Sequence, residues 1–309
     1  MRHPPRLSSR SPSALRVEHL QPILGDGPRH ALTVDVEDWY QSCVDYDAPI
    51  TERVVRNVDR MLSVFADCDT VGTFFVQGLV AERYPGVVKA IAGAGHEVQV
   101  HGHTHRPLHT MSPEELRDDL TRAKDAIEAA LGAETTMFRA PDFSIGLSNL
   151  WAIEVLADLG FTVDSSIFPT RTAHYGIADW CVGPHHLILE DGRRILEVPV
   201  TVWEIGRIRL PIGGGGYFRL LPRPVLERGF RAASAAGRPG VAYLHPYEFA
   251  FDELKGYPDV SRRVRLHQGL GRRRAVERMR GLLGTLAFGR LSDVLRSFGL
   301  ATLAAAVAC

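Results

Sequence analysis

Between residues 30 and 170 short apolar runs alternate with helical stretches, and this alternation limits the chain more than any other feature. HALTVDV opens the region as a buried strand and breaks into acids at Asp35, Glu37 and Asp38. TERVVRNVDRMLSVFADC (51–68) has helical rhythm, with Val54, Val55, Val58, Met61, Leu62 and Phe65 on one face. VGTFFVQG (71–78) reads as a second strand, VAERYPGVVKAIAGAG (80–95) as a helical stretch broken at Pro85, and HEVQV (96–100) as a third strand. The segment 112–132 has the clearest helix signal: Ser112 as cap, Glu115 completing a capping box, and Gly132 as the stop. MFRAP, the helix WAIEVLADLG (151–160) and FTVDSS follow. Such alternation predicts an α/β fold with a parallel sheet and crossover helices. Parallel sheets gather functional groups at the C-terminal ends of their strands, where Asp35, His101, Arg139 and Asp164 fall.

These residues can do chemistry together. In HGHTH (101–105), His101 and His105 are four apart, a spacing that lets one helical face or a tight loop aim both imidazoles at one ion. Five of the 13 histidines, at 96, 101, 103, 105 and 109, crowd this region. Three carboxylates at 35–38 repel one another, and water or a cation must relieve that. One carboxylate and two imidazoles with open positions are the ligand set of a hydrolytic metal. Arg139 follows a strand, with Pro141 fixing the exit, and can orient a carboxylate or bind substrate. His245 ends the buried strand VAYLHPYEF, where it can serve as a general acid. Trp39, Tyr40, Tyr217 and Phe218 lie beside these motifs, where core packing is the default for aromatics and stacking on a sugar ring the alternative. The GGGG run (213–216) is no phosphate loop, because no G-K-[ST] follows it.

Composition narrows the function classes. Lys+Arg and Asp+Glu both number 36, which argues against a general nucleic-acid or anionic-lipid binder. Cys43, Cys68, Cys181 and Cys309 are scattered, without a C-x-x-C pair, which fits unpaired thiols in a reducing compartment. Residues 1–29 are basic and rich in Pro and Ser with no apolar core, and read as a disordered leader rather than a secretory signal. The apolar end, SFGLATLAAAVAC, is shorter than the roughly 20 residues a spanning helix needs. A cytoplasmic chain without stable membrane insertion is therefore expected. Its parts would be the leader 1–29, one domain over 30–290, and a helix or tail over 291–309. The basic segment RRVRLHQGLGRRRAVERMRGLLGTL reads as helical.

TVDVEDW (33–39), HGHTH (101–105), FRAP (138–141), VDSSIFP (163–169) and YLHPYE (243–248), in this order, resemble the polysaccharide deacetylase (NodB-homology) family of carbohydrate esterases. LPIGGGGYFRLLP and the RLHQGLGRRR segment are most similar to the subfamily encoded with exopolysaccharide and protein-sorting (PEP-CTERM) loci. The resemblance covers roughly 30–290. It implies an irregular (β/α) barrel, often of seven strands, holding a divalent metal, usually zinc. It further implies Asp35 as general base, His101 and His105 as metal ligands, Arg139 as the residue orienting the base, and His245 as general acid. Trp39, Pro141, Asp164 and Tyr217 are the expected substrate-binding residues. The family's adjacent aspartates are replaced here by Asp35-Val36-Glu37-Asp38, which leaves the carboxylate ligand open between Glu37 and Asp38, and allows Glu37 as base with Asp38 as ligand. The expected reaction is hydrolysis of N-acetyl groups on an oligo- or polysaccharide or its precursor. The rivals are an amidase acting on cyclic ureides or imides, and a non-catalytic sugar-binding relative.

Overall fold

The computed structural model describes residues 15–20, 25–172 and 175–300. Each strand expected from the apolar runs is present. In chain order the strands are β1 (Arg16–His19), β2 (His30–Val36), β3 (Thr73–Val76), β4 (Glu97–Val100), β5 (Met137–Phe138), β6 (Val163–Asp164), β7 (His185–Ile188), β8 (Arg194–Glu197), β9 (Val202–Ile205), β10 (Ile208–Pro211), β11 (Gly240–Leu244) and β12 (Phe288–Gly289). All but β9 and β10 form one ten-stranded sheet. Along the path β11-β2-β3-β4-β5-β6-β8, seven strands run parallel, the number the family resemblance implied. Beyond β8 the hairpin partner β7 and then β1 extend the sheet antiparallel.

No continuous ladder closes the sheet among the described residues. The chain after β8 nevertheless returns to the free edge of β11, where Thr201 N donates to Val241 O (3.1 Å) and Tyr243 N to Gly213 O (2.7 Å). The result is an irregular barrel with a seam of single hydrogen bonds. At that seam Gly214 has no room for a side chain, since a Cβ would stand 1.7 Å from Tyr243 O.

The helices follow local signals. α1 (Trp39–Cys43) is a single turn after β2, and α2 (Arg53–Asp67) buries Val54, Val58, Met61, Val64 and Phe65. Pro85 separates α3 (Gly78–Arg83) from α4 (Pro85–Gly93) because a proline is tolerated only in a first helical turn. α5 (Pro113–Leu131) carries the full capping box of Ser112 and Glu115 and ends at Gly132 in the left-handed region (φ 74°). α6 (Ala152–Asp158), α7 (Gly215–Leu220), α8 (Arg223–Ala235), α9 (Arg262–Gly269), α10 (Ala275–Leu283) and α11 (Leu291–Ser297) complete the set. The basic segment thus forms two helices, α9 and α10, interrupted at Leu270–Arg274.

Alternation along β2 sorts the core. Leu32, Val34 and Val36 join the large cluster that includes the helix-borne Val58, Val88 and Leu120. Ala31 joins the second cluster with Phe75, Val163, Leu196 and Tyr243. By the period of two, Thr33 and Asp35 share the Ala31 side, which puts a carboxylate in the barrel interior. Arg139, whose guanidinium lies 4.4 Å from the centre of the Phe75 ring, meets it there.

The expectation about the N-terminal end is corrected. Residues 1–29 are not wholly a disordered leader, because Arg16–His19 pairs with His185–Ile188 as β1. All four residues of β1 are exposed, so no apolar pattern announced the strand. At the other end α11 buries Leu291, Val294 and Leu295 in the second core cluster. Residues 1–14, 21–24 and 301–309, the last including Cys309, lie outside the described residues. Within those described, no helix is long and apolar enough to cross a membrane.

Candidate active site

Three side chains converge beyond the C-terminal ends of β2 and β4. One ligand atom each from Glu37, His101 and His105 can be chosen so that all lie within 4.8 Å of one another. Glu37 Oε2 lies 3.4 Å from His101 Nε2 and closer still to His105 Nε2, and all three residues are buried. A tight loop, not a helix, brings the histidines together: Gly102 (φ 68°) and His105 (φ 61°) both adopt left-handed backbone. For His105 that conformation is uncommon and has to be held by its surroundings. Asp119 of α5 does so, accepting His103 N (2.7 Å), Thr104 N (3.1 Å) and Thr104 Oγ1 (2.7 Å).

The second ring nitrogen of His101 fixes its tautomer. With Nδ1–H donating to Arg139 O (2.9 Å), Nε2 keeps its lone pair toward Glu37. Burial opposes charge on Glu37, but His105, His101 and His245 together hold its carboxyl well below the usual range. Burial likewise opposes charge on His105, and Glu37 overcomes it and raises the pKa. Glu37 Oε2 has no hydrogen-bond donor. A buried carboxylate oxygen between two imidazole nitrogens, with no donor of its own, is what a divalent cation would satisfy. The donor set therefore fits a metal.

Asp38 stands apart from this cluster. It caps α1, with Oδ1 accepting from Tyr40 N (3.0 Å) and Oδ2 from Thr51 N (2.9 Å) and Thr51 Oγ1 (2.5 Å). Both oxygens are thereby occupied by donors, and of the two acids expected as ligand the structure places Glu37, not Asp38, in the cluster with the histidines.

Asp35 takes an ion pair from Arg139 Nη1 (2.9 Å), and both are buried. The guanidinium also donates to Thr33 Oγ1 (2.6 Å), Ser165 Oγ (2.9 Å) and Ser165 O (3.2 Å). This network fixes Asp35 rigidly.

His245, just past β11, lies 4.0 Å from Glu37 Oε1 through Nε2 and 3.5 Å from Glu248 Oε2 through Nδ1. Burial would discharge it, but Glu248, then Glu37 and Asp35, outweigh burial and lift its pKa to about 9. Arg219 Nε in turn holds Glu248 (2.9 Å). Tyr247 stacks on His245 (4.9 Å between centroids) and donates its hydroxyl to Glu37 Oε1 (3.0 Å). Tyr247 and Glu248 lie inside the YLHPYE motif, and the His-x-x-Glu spacing was the available signal for them. Asp119 gave none, being one acid among several on an exposed-looking helix face.

The expected substrate-binding residues divide. Trp39 is 1% exposed and packs against Tyr257 and Tyr40 (5.6 and 6.5 Å), so it offers no open face for a sugar. Pro141 is buried against Gly102, where an added Cβ would come within 3.2 Å of its ring. Asp164 is fully buried beside Glu197 in the β6–β8 register and accepts from Ser166, which itself accepts Ala140 N (2.8 Å). It therefore supports the 139–141 turn rather than meeting substrate. Tyr217 on α7 is 37% exposed and remains available; Phe218 is buried. Of the remaining histidines, His96 accepts Gly72 N (3.0 Å) and His103 packs against Gly78, and both are buried.

Residues 30–163 match the polysaccharide deacetylase family, and residues 165–296 match a domain of unknown function, DUF3473. A peptidoglycan deacetylase-like protein of Gibberella zeae is 31% identical over 128 residues, 40% of this chain and 36% of that protein. The peptidoglycan deacetylase of Helicobacter pylori is 30% identical over 112 residues, 36% of each. The chitooligosaccharide deacetylase of a Bradyrhizobium species is 32% identical over 117 residues, 38% of this chain and 53% of that protein. The chain thus spans 36% to 53% of the length of these curated relatives. Among solved structures, a Mycobacterium smegmatis protein provisionally described as a polysaccharide deacetylase aligns with a TM-score of 0.56 at 22% identity, covering 94% of this chain and 95% of that one. Puue allantoinase aligns with a TM-score of 0.56 at 17% identity, covering 86% and 88%. At such identities the likeness is one of fold. The matched segment 30–163 contains Asp35, Glu37, His101, His105 and Arg139, and over that segment the chain is similar to the polysaccharide deacetylase family.

Proposed function

We propose that the protein removes N-acetyl groups from amino sugars of a polysaccharide or its precursor, in exopolysaccharide metabolism. One observation carries this reading: Glu37, His101 and His105 form a buried three-donor cluster, with His245 4.0 Å from Glu37 Oε1 and the arginine-held carboxylate of Asp35 two residues before Glu37 on the same chain segment. Amide hydrolysis needs a base for water and an acid for the departing amine. Glu37, His101 and His105 would hold a divalent cation, which we take to be zinc, supplying Lewis acidity toward the acetamide oxygen and toward water. Asp35, kept in place by Arg139, accepts the proton of the attacking water. His245 then donates a proton to the amine nitrogen as the C–N bond breaks, leaving acetate and a free amino sugar. Tyr217 is the expected contact for a sugar ring at the rim. The catalytic and substrate contacts, the polymer and a cytoplasmic setting all belong to this proposal.

The Asp35-Val36-Glu37 opening also suits a hydrolase of cyclic ureides or imides on the same scaffold. Acetate release from N-acetylglucosamine oligomers, against ring opening of a ureide, separates the two. Replacing both His101 and His105 with Ala should remove bound metal and deacetylation together. Full acetate release by that variant would overturn the scheme.

A further inference from the structure

α9 is an eight-residue helix that buries none of its side chains. Leu266 is 69% exposed, and Leu270, one turn on, is 45% exposed. Leu220 at the end of α7 is 56% exposed, and the two segments touch: Arg219 Nη1 donates to Gln268 O (2.6 Å) and Leu270 O (2.8 Å). A helix held at its C-terminal end, with leucines facing water, has no explanation within the fold.

Its surroundings are strongly basic. Residues 262–280 contain eight arginines and a single acid, Glu277, in a chain whose charges overall balance at 36 of each sign. Arg262, Arg263, Arg273 and Arg274 are exposed, and among the described residues none of them pairs with a carboxylate. Exposed leucines set among unpaired arginines match a bilayer interface with anionic headgroups, the leucines entering the acyl boundary and the arginines meeting phosphate. A soluble polyanion would use the arginines and have no need of the leucines.

We infer that this face docks the protein peripherally on an anionic lipid surface. The face lies beside the site, because Arg219 both anchors the α9 end and holds Glu248, the partner of His245. Docking would set the catalytic mouth close to the headgroups, within reach of a lipid-linked or surface-bound saccharide. The docking itself does not rest on the deacetylation reading; only the saccharide it would bring within reach does, and the docking test needs no turnover.

The full chain should float with vesicles of equal parts phosphatidylcholine and phosphatidylglycerol, and not with phosphatidylcholine alone. Binding should weaken as salt is raised. Each arginine near the surface contributes about fivefold, so R262Q/R263Q should lower partitioning by roughly 25-fold. L266S should lower it by roughly tenfold. Both changes are on exposed side chains, so urea unfolding curves should match the parent. Three results would overturn the inference: no flotation with the anionic vesicles, equal flotation with phosphatidylcholine alone, or undiminished binding by L266S together with retention on heparin. The last would assign the face to a soluble polyanion.

Discussion

Two neighbouring acids, Glu37 and Asp38, behave in opposite ways because of what each oxygen meets. Glu37 Oε2 faces two imidazoles and no donor, while Asp38 is filled by backbone and hydroxyl donors. Glu37→Gln should therefore abolish bound metal with little loss of fold, whereas Asp38→Ala should keep metal and lose the cap. A lost cap costs about 0.5–2 kcal/mol. Metal analysis and thermal unfolding of the two variants separate these outcomes, and metal loss in the Asp38 variant would contradict the assignment. The acidic cluster was legible in the sequence as chemistry, yet not the division of labour within it. That division depends on Thr51, 13 residues away, and on side-chain direction, neither of which spacing reveals.

His245 gives a second prediction at the same scale. An acid catalyst must be protonated, so deacetylation should fall as pH rises through about 9. Glu248→Gln removes the neighbouring charge that offsets burial, and should move that alkaline limb to lower pH. A pH profile of kcat for parent and variant checks it; an unmoved limb would mean Glu248 does not set the state of His245.

Among the elements, those with local signals were the legible ones. α5 has its capping box, its glycine stop and four buried positions at helical spacing, all within one stretch of sequence. Strand β1, by contrast, exposes every residue and exists only through pairing with β7, about 170 residues away. The register of β6 with β8 was equally hidden, and it creates the pair Asp164 and Glu197. Burial raises both pKa values, Asp164 to about 6 and Glu197 further, since two adjacent carboxylates cannot both ionise there. The folded state thus binds more protons than the unfolded chain above the ordinary carboxylate range. The pair's contribution to stability is present below that range and is lost as pH rises through about 6. Glu197→Gln keeps an acceptor for Ile167 N and removes one titrating group. Its melting temperature should decline less than the parent's between about pH 5 and 8; parallel declines would show that the pair is not the source.

At the scale of the molecule, the catalytic arrangement depends on a seam the sequence did not disclose. The glycine run at 213–216 carries no phosphate-loop signal, and nothing in its composition says which glycine meets a backbone. Gly214 does, bridging to Tyr243 in β11, two residues before His245. Its φ of 167° is ordinary extended backbone, so the demand for glycine is purely one of space. Gly216, two positions on, has only the tip of the Arg219 side chain at 4.0 Å. Alanine at 214 must push β11 from the returning chain, costing at least the upper end of the ~1–3 kcal/mol typical of overpacking. Alanine at 216 meets no such obstacle and, within α7, should stabilise by up to ~1 kcal/mol. Because the displaced strand carries His245, Gly214→Ala should lower kcat for acetate release as well as melting temperature, while Gly216→Ala lowers neither. If Gly214→Ala lost stability yet kept full kcat in the folded fraction, seam and site would be independent. The hydrogen bond from Tyr243 N to Gly213 O argues that they are not, since the same short stretch of β11 both closes the barrel and leads directly into His245, the acid of the proposed reaction.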